Sequence, residues 1–102
     1  TLIFDEIDTG VSGKVALAMG SKMHALAKHY QVLCITHLSS VAVWADDHFC
    51  VVKRTDGLST TTSVNPLNEQ QRLEELAIMT HGMADTKAIE SMKELLERVR
   101  HG

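Results

Sequence analysis

The chain has 102 residues, 44% of them apolar and 23% charged, with a net charge of −3 at neutral pH. That length holds one domain at most, and the balance is ordinary globular composition, which excludes a disordered chain. The charge leaves no basic footprint, so strong DNA binding by this segment alone is not expected, and no stretch is apolar enough to span a membrane.

The first predicted element is a strand over Thr1-Leu2-Ile3-Phe4, a run apolar but for its threonine that ends abruptly at Asp5 and Glu6. A run with no alternation reads as a strand buried on both faces, and ionised carboxylates at its tip need a cavity, a cation or solvent. A turn with Gly10 and Gly13 follows, then a helix from about Gly13 to His29 with Ser12 as its N-cap and Ala16, Met19, Met23, Leu26 and Tyr30 at helical spacing. Gln31 to Thr36 is a second apolar strand, so the two strands form a parallel βαβ unit. Their carboxyl ends, Asp5-Glu6 and Thr36-His37, then face one edge of the sheet. Cys34 and Cys50 lie in apolar runs without metal-ligand spacing and read as buried free thiols of a reducing compartment. A soluble, cytoplasmic protein is expected.

Ser39 to Ala45 predicts a short helix burying Val41, Ala42 and Trp44. A hairpin follows, with strands over His48–Arg54 and Leu58–Val64, an Asp56-Gly57 turn signal, and Pro66 as a stop. Asn68 and Gln71 have capping-box spacing ahead of a helix that buries Leu73, Leu76 and Ala77. After a break at Gly82, a last helix from about Asp85 to Arg100 buries Ile89, Met92, Leu95, Leu96 and Val99. His24, His29, His81 and His101 read as solvated, and Asp46-Asp47-His48 as a turn rather than a metal cluster.

Asp5 and Glu6 carry the most chemistry. An aspartate at the tip of a parallel strand can hold Mg²⁺ through water, and a neighbouring carboxylate can orient and deprotonate an attacking water. His37, placed at the same sheet edge, can donate to a phosphate oxygen. The G-x-x-x-x-G-K-[ST] loop that grips phosphates is nowhere in the chain; if Asp5 and Glu6 serve an ATPase, that loop is expected in sequence before residue 1.

Leu2 to Gly13 followed by Val32-Leu33-Cys34-Ile35-Thr36-His37-Leu38 closely resembles the C-terminal part of the RecN family of bacterial DNA repair proteins. These are SMC-like ATPases related to ABC-type heads. The likeness continues through Val52-Lys53-Arg54, Arg72 to Ala77 and Glu94-Leu95-Leu96. It implies the C-terminal lobe of a P-loop NTPase head, an α/β fold with a parallel βαβ core, a β-hairpin and two C-terminal helices. Residues 1–102 would be an incomplete domain, lacking the N-terminal lobe and coiled coil.

The resemblance also implies roles. Asp5 is the Walker B aspartate at Mg²⁺, Glu6 the base that activates water, and His37 the switch histidine at the γ-phosphate. Asp8 to Gly13, with Asp8, Gly10, Ser12 and Gly13 as nucleotide-site residues, forms the D-loop that reaches a second head. Ser12 stands where ABC heads commonly carry aspartate, and Leu38-Ser39-Ser40 replaces their usual leucine-proline-glutamine. ATP and Mg²⁺ are the implied substrate and metal, and a second head and DNA the partners of the whole protein, nucleoid-associated in the cell. The fragment alone is expected to be inactive. Two other readings stay open on the residues: a transporter's nucleotide-binding subunit, which Ile7-Asp8-Thr9 argues against, and a non-catalytic α/β interaction module.

Overall fold

The computed structural model describes residues 1–6 and 10–101. Strand β1 (Leu2–Asp5) pairs in parallel with β2 (Val32–Ile35), with Leu2 opposite Val32 and Asp5 opposite Ile35. Helix α1 (Gly13–Leu26) makes the crossover between them. Its start follows from Ser12, which has extended backbone and whose Oγ accepts from the Val15 amide at 3.4 Å. The expected two-sided burial of the strands is not found. Phe4 and Val32 pack on a cluster with Ala16, Met23 and Val41, while Ile3, Leu33 and Ile35 are 68%, 49% and 54% exposed. Among the described residues, α1 with α2 covers one face of this two-stranded sheet, so β1 half-buries alternate residues, Leu2 and Phe4, and β2 half-buries Val32 alone. Cys34 is exposed and Cys50 half-buried, correcting the expectation of buried thiols.

The short helix α2 (Ser39–Ala42) joins two cores. Its Val41 belongs to the cluster under the sheet, whereas Ala42 and the following Val43 belong to a second cluster. That second cluster fills the space among α2, α3 (Glu69–His81) and α4 (Thr86–His101) with Leu73, Leu76, Ala77, Ala88, Met92 and Leu96. Trp44 lies over Gly20 of α1, where any side chain would collide with the indole ring. Glycine is required there by close approach rather than by backbone angle.

Strands β3 (Phe49–Asp56) and β4 (Ser59–Pro66) form a separate antiparallel hairpin. Asp56 pairs with Ser59, so the loop is Gly57-Leu58, one residue later than the turn signal indicates. Gly57 takes the left-handed angle, φ +60°, that a two-residue hairpin loop needs at its first position. All of β4 is exposed, as its serines and threonines suggest. The capping box of Asn68 and Gln71 is present in both directions, 2.8 and 3.0 Å, and Gly82 ends α3 at φ +79°. Asp85 starts α4 by accepting from the Ala88 amide at 2.8 Å. Glu69 at the start of α3 pairs with Arg100 near the end of α4 at 2.9 Å, a solvent-exposed bridge and hence a weak one. Among the described residues, no helix is long and apolar enough to cross a membrane.

Candidate functional site

The parallel register brings the carboxyl ends of both strands to one end of the sheet. Asp5 pairs with Ile35, and the Glu6 amide donates to the Ile35 carbonyl at 2.8 Å. Both strands therefore stop together, and Glu6 and Thr36-His37 leave the sheet from the same end. Asp5 alternates onto the face of Ile3 and Ile35, the face that α1 does not cover, and is exposed.

Glu6 is the one described non-glycine residue with positive φ, +51°. Left-handed backbone costs an L-residue about 1–2 kcal/mol. Here the cost falls on the residue that turns the chain out of β1 while its amide is still bonded to β2. Such strain concentrates where a side chain is aimed for function. Sequence reasoning identified Glu6 by its chemistry but had no signal for this angle.

Across the sheet end, Thr36 Oγ1 accepts from the Leu38 amide at 3.0 Å, closing a tight turn with His37 at its apex. His37 is exposed and Leu38 packs into the cluster below the sheet. The site thus has an anchored base on each side of the loop: strand β2 before His37, helix α2 after it. Gly10, at φ +79°, and the exposed Ser12 and Gly13 lead from the same sheet end into α1. Asp8 lies outside the described residues, so the structure brings Asp5, Glu6 and His37 to one end and leaves Asp8 unplaced.

Other titratable groups sort differently from their sequence reading. His24 is half-buried, not solvated: its Nδ1 lies 3.0 Å from the Trp44 carbonyl oxygen, and the two rings stack obliquely at 5.8 Å. Among the described residues, no three His, Cys, Asp or Glu side chains converge on a metal site. Arg72 was not singled out by any sequence signal. It is 5% exposed, and its Nη2 donates to the carbonyls of Ala42, Val43 and Ala45, all at the end of α2. A charged side chain in a helix ordinarily reads as solvated, but an arginine stem buries readily when its head finds carbonyls.

His48 Nδ1 is buried without a partner among the described residues. Burial first, and the Arg72 guanidinium second, hold this imidazole below its ordinary range. The unfolded chain binds that proton more readily, so this contribution to stability is present above about pH 6.5 and is lost as pH falls below it. Urea midpoints measured between about pH 7.5 and pH 5.5 are expected to fall, and His48→Gln to flatten that slope. An unchanged slope in His48→Gln would assign the acid sensitivity to another group.

No family model matches the chain. It is 43% identical over all 102 residues to the DNA repair protein RecN of Treponema pallidum, covering 18% of that protein. Against the DNA repair protein RecN of Bacillus subtilis it is 44% identical over 99 residues, 96% of this chain and 17% of the relative. The same-named protein of Streptomyces coelicolor is 40% identical over 101 residues, 98% of this chain and 18% of the relative. The chain thus spans less than a fifth of the length of these curated relatives.

Proposed function

We infer that this chain, related along its whole length to one stretch of the RecN proteins, is the C-terminal part of an ABC-type ATPase head in a RecN-like DNA repair protein. It contributes the hydrolytic half of an ATP site used in double-strand-break repair and recombination. The observation that carries the reading is the parallel register, which sets Asp5-Glu6 and Thr36-His37 at one end of the sheet. Open α/β sheets place their ligands outside the carboxyl ends of parallel strands.

In this reading Asp5 holds Mg²⁺, Glu6 takes the proton of the attacking water, and His37 donates a hydrogen bond to the γ-phosphate. The donor set fits magnesium. Mg²⁺ keeps several waters and needs only one or two carboxylates beside the substrate phosphates, so a lone exposed aspartate at a strand tip suffices. When bound, it would neutralise negative charge developing on the transferred phosphoryl group. The remainder of the parent protein supplies the phosphate-gripping loop and the signature loop. Residues Asp8 to Gly13 reach a second head. DNA is handled by the whole protein, which fits a net charge of −3 on this segment.

Single-turnover ATP hydrolysis by the full-length protein tests the reading. His37→Ala removes a donor aimed at transition-state charge and is expected to slow hydrolysis about 10²-fold with little change in ATP affinity. Hydrolysis at the parent rate would sink it.

A further inference from the structure

We propose that Arg72 and Thr80 of α3 are positioning residues for His37, acting by holding α2 at both of its ends. The inference rests on the role given to His37 above. His37 stands two residues before α2, and α2 has no side-chain cap at its start. Nothing in that single turn of helix would fix its position by itself, since isolated helices this short are unstable. It is held from outside: α1 packs on one side of it, and α3 runs along another side in the opposite sense.

At the start of α2, Ser39 Oγ shares a 2.6 Å hydrogen bond with Thr80 Oγ1. At its end, the buried Arg72 gathers the Ala42, Val43 and Ala45 carbonyls. Positions 72 and 80 are eight residues apart, about 12 Å along a helix, so the two contacts brace α2 across its whole length. Thr80 also lies 2.9 Å from the Leu76 carbonyl oxygen and 3.5 Å from Met92 Sδ of α4. The bracing is thereby tied to the α3–α4 core. Val41 locks the other side of α2 into the cluster below the sheet.

The chain of contacts therefore runs from α4 through Thr80 and Ser39 to the loop whose apex is His37. A shift of α3 moves α2, and α2 cannot move without carrying Leu38 and the Thr36–Leu38 turn. Displacement of a catalytic group by about 1 Å costs on the order of 10²-fold in rate, so distant bracing has leverage on turnover. A packing role alone would lower stability and leave the chemistry of the folded protein unchanged.

The experiment is a cycle in the full-length protein, reading kcat and KM for ATP together with a thermal melt. Thr80→Val keeps the side-chain shape and deletes the hydroxyl. Losing one hydrogen bond of this kind is expected to lower kcat about three- to tenfold, with KM and the melting temperature nearly unchanged. Thr80→Ser, which keeps the hydroxyl, is expected to restore kcat. In a His37→Ala background Thr80→Val is expected to have no further effect, because the group it positions is gone. Arg72→Met is expected to lower kcat about ten- to hundredfold. If that variant does not fold, Thr80→Val carries the test. An equal kcat loss from Thr80→Val with and without His37 overturns the inference, as does wild-type kcat in Thr80→Val when His37→Ala is slow. Wild-type kcat in His37→Ala overturns the reading of the site, and the inference with it.

Discussion

Glu6→Gln in the full-length protein leaves ATP bound and lowers turnover by about 10²–10⁴-fold, the range expected when a general base is removed. Glutamine has the shape of glutamate but cannot accept the water's proton. Affinity should survive because phosphates are gripped by a loop that this chain does not contain. Stability should survive as well. Glu6 is exposed, and both residues meet the same steric penalty at φ +51°, so the change lies within about 0.5 kcal/mol. Rapid-quench hydrolysis and equilibrium nucleotide binding on the same preparation separate the outcomes. Turnover close to the parent's would remove Glu6 from the base role. Lost binding with intact folding would instead make it a ligand for the nucleotide.

The βαβ unit was legible because two unbroken apolar runs flank a helix of the right length, and the parallel pairing follows from that spacing. The caps at Ser12 and Asn68 were legible for a similar reason: each is a local hydrogen bond set by residues three apart. What failed was anything decided by a layer on top of an element. Ile3, Leu33 and Ile35 read as buried because pattern reports what a residue prefers, not whether a covering layer is present. His24 read as solvated because its partner is the Trp44 carbonyl, twenty residues away. Arg72 was invisible for a deeper reason, since its three acceptors become available only when α2 ends beside α3. At the candidate site, residue chemistry pointed to Asp5, Glu6 and His37, while the left-handed turn at Glu6 and the bracing of α2 arise from tertiary geometry.

Leu76→Ala is expected to destabilise the chain by about 3 kcal/mol, read as a lower urea midpoint with an unchanged slope. Leu76 is 0% exposed and sits between α3 and α4 in the larger core cluster. Deletion of a leucine side chain at a fully enclosed site costs about 2.7–5 kcal/mol, depending on how far the surroundings collapse. Met92 in the same cluster is flexible enough to fill part of the cavity, which sets the expectation toward the low end. Against a total stability of about 5–15 kcal/mol the loss is large. It also has a direction. The α3–α4 layer meets the sheet layer through α2 and through Leu17 and Trp44 at its margin. Loosening Leu76 should therefore free the α3–α4 amides to hydrogen exchange before those of β1 and β2. Equal acceleration of exchange in both layers would mean that the two cores unfold as one unit. In that case α2 is an ordinary part of a single core rather than the joint between two.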